Sequence, residues 1–227
     1  MPHIPEPKIG PLSRETHSRT ITEVLDQSQW ASPVPAATAQ GIHPSRSTPP
    51  KASMAHLPYA DLSAPEAQSL VQDIVAQRGS VLHLYQMLLH SPPLAQGWLG
   101  YLTAVRQQLT LNGALRELVI MRVAQLNGAP YEAQQHAPLA LLEGLSAAQL
   151  QALPEWVSSS LFSPCERAVL QLCDTMTRDV QVPKPTLQAV QAHLGERQTV
   201  ELVATIAAYN MVSRFLEALH IHGDDAR

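Results

Sequence analysis

One predicted helix, residues 114–127, is apolar on almost its entire surface, and it restricts the fold more than any other segment. Projected at about 100° per residue, leucines and valines cover one side, while Ile120, Met121 and Ala124 cover the opposite side. A helix that is apolar all round is buried on most of its surface. The chain must therefore surround this helix with several other elements.

The rest of the chain from Ala64 onward also has helical periodicity, without the alternation that is typical of strands. Abundant Ala, Leu and Gln favour helix over sheet. Helix ends are indicated by Ser63 as an N-cap, by Gly79, and by a capping box of Ser163 and Glu166. We therefore predict an all-α bundle of about eight helices. The predicted helices are 64–79, 80–90, 91–109, 112–126, 130–144, 163–180, 185–194 and 197–221.

Residues 1–53 differ from the rest in composition. Ten of the 19 prolines fall within the first 58 residues, and the stretch SPVPAATAQGIHPSRSTPPKAS has almost no large apolar side chain. Such a segment cannot bury enough apolar surface to offset the entropy cost of ordering it. We expect a proline-rich, disordered extension over 1–53, with one possible short helix in RTITEVLDQSQW, and a folded domain over 54–227. Met54, which opens the folded part, is also a candidate initiator.

Composition limits the partners and the compartment. The formal net charge is −4, without a long run of Lys or Arg, which argues against a nucleic-acid partner. No stretch approaches the roughly 18 consecutive apolar residues of a membrane span, and the N-terminus lacks the apolar core of a secretory signal. We therefore expect neither a membrane span nor export. The two cysteines suit a reducing compartment, so the expected location is cytoplasmic.

The two cysteines, Cys165 and Cys173, lie eight residues apart on one predicted helix. A rise of about 1.5 Å per residue separates them by about 12 Å, whereas a disulfide needs Cα atoms within about 7 Å. They therefore cannot bridge each other, and we interpret them as small core residues.

Polar residues interrupt the two most apolar helices. Glu117 lies on the second apolar side of the 114–127 helix, where a carboxylate is costly unless it is paired or protonated. Asn210 and Arg214 lie four residues apart on one face of the C-terminal helix, beside Tyr209. A buried asparagine either satisfies other polar groups or orients a catalytic side chain. An ion pair would make Glu117 structural, and its possible partners are Arg116, Arg122 and Arg214.

The stretch NGAPYEAQQHAPLA places Glu132 and His136 four residues apart, so their side chains share one helix face. A carboxylate that accepts a hydrogen bond from one imidazole nitrogen fixes the tautomer, which is useful in acid–base chemistry. Tyr131 adds a phenol beside them. The alternative is an ordinary solvated pair on a helix surface, because this spacing is common.

Together, LRELVIMRVAQLNGAPYEAQQHAPLALLEGL and IAAYNMVSRFLEAL resemble the carboxymuconolactone decarboxylase family, which shares its all-α fold with alkylhydroperoxidase D. LLHSPPLAQGWLGYL also resembles the segment before the core motif in longer members. The resemblance covers roughly residues 54–221 and excludes the proline-rich head. It implies a homo-oligomer, a trimer or a hexamer, that acts on a small molecule and needs no cofactor.

The peroxidase branch of that family carries Cys-x-x-Cys-x-x-x-His, with a Glu twelve residues before the first Cys. On this chain the Glu falls on Glu117 and the His on His136, whereas the two cysteine positions hold Ala129 and Glu132. A histidine found between the cysteines in some members is replaced by Tyr131. Because peroxide reduction there requires both thiols, the resemblance does not imply thiol peroxidase activity.

The decarboxylase branch lacks the cysteine pair and keeps a Glu four residues before the His, as Glu132 and His136 do here. The resemblance therefore implies proton chemistry on a small lactone or oxo-acid. His136 or Tyr131 would donate to a developing oxyanion, Glu132 would orient His136, and Glu117 would deliver a proton with a pKa raised by burial. Two carboxylates would repel an anionic substrate unless one is protonated or an arginine offsets the charge. The candidates for substrate binding or support are Arg116, Arg122, Asn210 and Arg214.

Three other hypotheses stay open. Two carboxylates and a histidine can bind a divalent ion, but a second nitrogen or sulfur ligand is lacking, so no metal is expected. A thiol peroxidase would have to use Cys165 or Cys173. A non-catalytic helical scaffold is favoured if Glu117 pairs with an arginine while Glu132 and His136 are exposed. A closed pocket that contains these three side chains would count against the scaffold.

Overall fold

The computed structural model describes residues 55–223 and residue 225. In that part of the chain all regular structure is helical, which confirms the predicted all-α class. The described α-helices are α1 (Gln68–Arg78), α2 (His83–Leu88), α3 (Pro92–Gln107), α4 (Gly113–Leu126), α5 (Pro130–Leu142), α6 (Ala147–Ala152), α7 (Pro164–Arg178) and α8 (Lys184–Leu219). A 3-10 helix, Leu153–Glu155, follows α6. The extension predicted over 1–53, its possible helix and Met54 lie outside the described residues.

Three of the predicted helix ends are confirmed. The Asn112 side chain accepts hydrogen bonds from the first free backbone N–H groups of α4. Ser163 and Glu166 form the reciprocal capping box that begins α7. Gly79 ends α1 with a φ of 79°, in the left-handed region where glycine has no Cβ to clash.

The start of α1 and the presence of α6 differ from the prediction. Ser63 does not cap α1, because the Asp61 carboxylate accepts hydrogen bonds from both the Ser63 backbone N–H and its hydroxyl. That local turn delays the helix until Gln68. The short helix α6, which begins with a capping box of Ser146 and Gln149, was missed.

The last helix, α8, joins the two helices predicted over 185–194 and 197–221, with a break at Gly195 where φ is 70°. Among the described residues it is the one helix whose length and composition would suit a membrane span. Half of its most apolar window, 50%, is buried inside the protein, as in the core helix of a soluble protein. This test is therefore weak evidence for a membrane.

Helix α4 lies at the centre, as its composition predicts. It packs against α5, α7 and α8, and every residue from Glu117 to Ala124 is buried. On the α5 side the contacts are made by small residues, which allow the two helices to approach closely. These residues are Ala133, Ala137 and Ala140. The close approach places polar side chains of α4 and α5 next to each other inside the core.

Candidate active site

The turn between α4 and α5 reverses the chain at Asn127 and Gly128. Asn127 is the C-cap of α4, and Gly128 has a φ of 61°, which favours glycine. The Asn127 side chain donates a 3.1 Å hydrogen bond to Oδ1 of Asn210 on α8. The turn is therefore fixed to a third helix, and it brings His136 of α5 back to Glu117 of α4.

Glu117 and His136 form a buried pair. Nδ1 of His136 lies 2.7 Å from Oε2 of Glu117, and Glu117 is only 1% exposed. The other oxygen of Glu117 accepts a 3.0 Å hydrogen bond from Nε of Arg116, which also pairs with Glu143. Burial opposes ionisation of Glu117, but the contacts with His136 and Arg116 outweigh it and lower its pKa. The predicted rise in this pKa is therefore wrong, and Glu117 is an ionised group that orients His136.

Glu132 is buried beside this pair but does not contact the imidazole as predicted. Its Oε2 lies 2.9 Å from the hydroxyl of Ser213 on α8. Its Oε1 is buried and has no hydrogen-bond partner in the described part of the chain. Burial raises the pKa of Glu132 well above its usual value, despite the Ser213 contact. Glu117 occupies the Nδ1 side of the ring instead, and the burial of Glu132 favours its neutral form.

A cavity of about 280 Å³ lies between α5, α8 and the helices α1 to α3. Three of the four predicted catalytic residues line it, namely Tyr131, Glu132 and His136. Glu117 is not in the wall and lies behind His136. The remaining lining side chains are Gln77, Arg78, Leu82, Leu84, Tyr85, Leu102, Arg106, Gln135, Pro138, Leu139, Tyr209, Val212 and Leu216.

The arginines predicted to support the site do not line the cavity. Arg116 is paired with Glu117, and Arg122 makes two hydrogen bonds of 2.6 and 2.7 Å with the buried carboxylate of Asp174. Arg214 donates a 2.7 Å hydrogen bond to Asn210, which holds the α4–α5 turn. These residues support the scaffold around the site.

Two other arginines, Arg78 and Arg106, line the cavity and were missed. Arg78 donates to the hydroxyls of Tyr85 (3.2 Å) and Thr103 (2.9 Å). Arg106 is half-buried and makes no hydrogen bond or ion pair with any residue that the structure describes. The sequence does indicate that Arg106 faces the core, because it follows the buried Leu102 by four residues and so lies on the same helix face.

Tyr209 is the other missed residue of the cavity wall. Its ring meets the His136 ring edge-on, with 4.9 Å between the centroids and an angle of 89°. Its hydroxyl is buried without a hydrogen-bond partner among the described residues. Tyr209 was noticed as a polar interruption of an apolar helix, but only the packing of α8 against α5 shows that it belongs to this site.

Comparison with known proteins identifies the family of the chain. Residues 92–175 match the Carboxymuconolactone decarboxylase family. The uncharacterized protein YdfG of Bacillus subtilis (strain 168) is 30% identical over 115 residues, which are 50% of this chain and 78% of YdfG. The chain belongs to the carboxymuconolactone decarboxylase family.

Solved structures show that the fold is the one of alkylhydroperoxidase D. A peroxidase-related protein from Ralstonia eutropha JMP134, described as an alkylhydroperoxidase AhpD core, superposes with a TM-score of 0.62 at 17% identity, covering 74% of this chain and 92% of its own. A variant of the debrominase Bmp8, in complex with 2,3,4-tribromopyrrole, superposes with a TM-score of 0.62 at 18% identity, covering 77% and 94%. At these identities the likeness shows the fold alone.

The cysteines of this family member lie away from the cavity. Both are free, as predicted, and neither lines the cavity wall. Burial raises the pKa of both Cys173 and Cys165, which disfavours the thiolate form. Ala129 and Glu132, which the family resemblance places at the positions of the two redox cysteines, are both buried. Within the described residues, no group of three or more His, Cys, Asp or Glu side chains is arranged to hold a metal ion.

Proposed function

We propose that this protein is an enzyme that moves protons on a small lactone or oxo-acid, by decarboxylation or isomerisation, without a bound cofactor. The observation that carries the proposal is the buried Glu117–His136 pair at the wall of the cavity. A carboxylate on one imidazole nitrogen and a ligand space beside the ring are the parts that general acid–base catalysis requires.

Glu117 determines which nitrogen of His136 meets the ligand. Because the ionised carboxylate accepts the Nδ1 proton, Nε2 is the nitrogen left for the substrate. Glu117 also stabilises the imidazolium that forms when Nε2 takes a proton. Arg116 donates a hydrogen bond to the other oxygen of Glu117. The Glu117–His136 pair, called the dyad below, is therefore fixed before a substrate binds.

The dyad supports two related reactions. In an isomerisation, Nε2 of His136 takes a proton from the carbon beside a carbonyl, and the C–H electron pair forms an enolate. The imidazolium, whose proton exchanges with water, then delivers a proton to another carbon. In a decarboxylation, the C–C bond to the carboxylate breaks, CO₂ leaves, and the electron pair forms the enolate. The imidazolium of His136 then protonates the carbon and regains its proton from water.

Charges around the cavity favour an anionic substrate. Two ionised carboxylates would repel it, but Glu132 is neutral and Glu117 is neutralised by its two partners. Arg78 and Arg106 add positive charge to the wall. The positive charge needed for an acid substrate is therefore supplied by Arg116, which was predicted from the sequence, together with Arg78 and Arg106, which were not.

Two alternatives are less well supported. A thiol peroxidase, suggested by the names of structural neighbours, would need a reactive thiolate in the cavity, whereas both cysteines lie elsewhere with raised pKa values. A non-catalytic scaffold is favoured by the Arg116–Glu117 pair. It is disfavoured by the near-complete burial of Glu132 (2% exposed) and His136 (6% exposed) beside a cavity.

Proton exchange in D₂O is a direct test of the proposal. The purified chain is mixed with a panel of small lactones and 2- and 3-oxo-acids, and NMR follows deuterium incorporation and CO₂ release. The proposal predicts catalysis by the wild type and a loss of about 100-fold or more in His136→Gln. The exposed His193 provides the matched control His193→Gln, which should retain full activity. Full activity in His136→Gln would disprove the acid–base scheme, and thiol-dependent reduction of a hydroperoxide would favour the peroxidase.

The assembly and location remain proposals as well. We propose a cytoplasmic homo-oligomer, a trimer or a hexamer. Exposed apolar side chains on α3 and α8 support an interface between copies; these are Leu94, Val200 and Met211. Light scattering coupled to size-exclusion chromatography measures the number of subunits, and a monomer at micromolar concentration would contradict the proposal.

A further inference from the structure

We propose that Tyr209 and Arg106 form an oxyanion-binding site in the cavity wall, which holds a carbonyl oxygen of the ligand as that oxygen gains negative charge. This inference rests on the proposed function, because it assigns the residues that stabilise the enolate. It adds Tyr209 as a catalytic residue and Arg106 as its positively charged neighbour, in place of the donors His136 and Tyr131 predicted from the sequence.

The hydroxyl of Tyr209 is the first observation. Tyr209 is 1% exposed, and its hydroxyl has no hydrogen-bond partner within the described residues. A buried polar group without a partner is costly, and nearly all such groups in folded proteins are satisfied. Here the side chain belongs to the wall of a cavity, where a ligand oxygen can supply the partner.

The charge state of Tyr209 suits this role. Burial is the main cause of a raised pKa for its hydroxyl, and the charge of Glu117 acts in the same direction. The charge of Arg106 acts in the opposite direction but does not outweigh them. The phenol therefore stays protonated and donates a hydrogen bond, as an oxyanion site requires.

Arg106 is the second, independent observation. It lines the same cavity from α3, across from Tyr209 on α8, and its guanidinium has no ion-pair partner in the part of the chain that the structure describes. The other lining arginine, Arg78, is held by Tyr85 and Thr103. Arg106 is therefore the cation whose donors remain for a ligand, and hydrogen bonds from a charged donor are the stronger kind.

The position of His136 links this site to the proposed chemistry. The rings of His136 and Tyr209 are in edge contact, so the acid–base imidazole and the phenol belong to one part of the cavity wall. Enolisation needs both groups at neighbouring atoms, the base at the carbon and the donor at the carbonyl oxygen. Tyr131 also lines the cavity, but its ring packs toward His83, at 6.4 Å between centroids.

Binding of 4-nitrophenolate tests the site without turnover. Its oxyanion on a flat apolar ring mimics an enolate, and its visible absorbance reports its ionisation. The wild type should bind it, and Tyr209→Phe and Arg106→Gln should each weaken binding about tenfold or more, as expected for a hydrogen bond to a charged group. Tyr101→Phe removes a phenol hydroxyl and Lys184→Gln removes a positive charge, each at an exposed position, and both should leave the Kd unchanged. Absent binding, or equal affinity in Tyr209→Phe, would overturn the inference.

The stability of Tyr209→Phe distinguishes a ligand-binding role of the Tyr209 hydroxyl from a structural one. Because the Tyr209 hydroxyl has no partner, Tyr209→Phe should be as stable as the wild type or more stable in urea unfolding. Clear destabilisation by Tyr209→Phe would show that the hydroxyl supports the fold, and would overturn the inference.

The inference and the proposed function fail in different ways. If His136→Gln abolishes proton exchange while Tyr209→Phe changes neither exchange nor 4-nitrophenolate binding, only the oxyanion site is wrong. If no oxo-acid or lactone exchanges protons, but phenolate binding depends on both Tyr209 and Arg106, the proposed reaction is wrong and the anion site stands.

Discussion

Glu117 and Glu132 are two buried carboxyl groups of one site, and the protein treats them in opposite ways. Glu117 has a partner on each oxygen, Arg116 on one and the His136 ring on the other, and together they outweigh the effect of burial on its pKa. Glu132 has one hydroxyl partner and an unpaired oxygen, so burial dominates and its pKa rises. Two carboxyl groups that are both buried in this fold therefore have pKa values shifted in opposite directions, because their partners differ.

The largest effect on stability is expected at Glu117, the carboxylate with a partner on each oxygen. In Glu117→Gln, Arg116 and His136 lose the charge that compensates them inside the core, and we expect a loss of about 3 kcal/mol in the free energy of unfolding. Urea unfolding at neutral pH measures this, and proton exchange should be lost as well.

The control for Glu117→Gln is Glu143→Gln, since Glu143 also pairs with Arg116 but its side chain is 42% exposed. Its removal should cost less than about 1 kcal/mol. The folded-state pKa of Glu117 is lowered, so its contribution exists above the unfolded value of 4.5 and is lost as pH falls through the folded value. The cost of Glu117→Gln should therefore shrink on acidification, and a cost that is independent of pH would contradict the ion pairs.

At Glu132 we expect a substitution to increase stability. Burial of Glu132 disfavours its ionised form, which the unfolded chain adopts at neutral pH, so this carboxyl group lowers the stability of the wild type there. Glu132→Gln replaces it with a neutral amide, and the variant should be more stable at neutral pH by about 1 kcal/mol. The folded-state pKa of Glu132 is raised, so its contribution to stability is complete below 4.5 and is lost as pH rises through the folded value. The advantage of the variant should vanish near pH 4. An advantage that grows on acidification would show that Glu132 is ionised in the folded protein.

The difference between these two residues could not be predicted from the sequence. Helical spacing placed Glu132 and His136 on one face, and it correctly identified α4 as a buried central helix. Spacing within one helix does not show which neighbouring helix faces a side chain. Glu117 reaches His136 from α4, and Ser213 reaches Glu132 from α8, so both partners are tertiary. The spacing of Arg106 from Leu102 indicates the core face of α3, but it does not show that this face lines a cavity.

A smaller effect is expected at the turn that brings the pair together. In Asn127→Ala the hydrogen bond to Asn210 is lost, and we expect a cost of about 0.5–1 kcal/mol in urea unfolding. Because the turn positions α5 against α4, the kcat for proton exchange should fall more than KM changes. An unchanged kcat in a destabilised variant would show that the dyad does not depend on this contact.

The smallest effect on activity is expected from replacing the cysteines. This substitution tests whether the enzyme works without a thiol. In the peroxidase relatives a thiol occupies the position of Glu132, whereas here Cys165 and Cys173 lie outside the cavity with raised pKa values. The double variant Cys165→Ser/Cys173→Ala should keep kcat/KM for proton exchange within about twofold of the wild type. Cys173 is fully buried, so activity is compared at a temperature where circular dichroism shows both proteins folded. A large loss of activity in the folded double variant would return the chemistry to a thiol and leave the two carboxyl groups as parts of the scaffold.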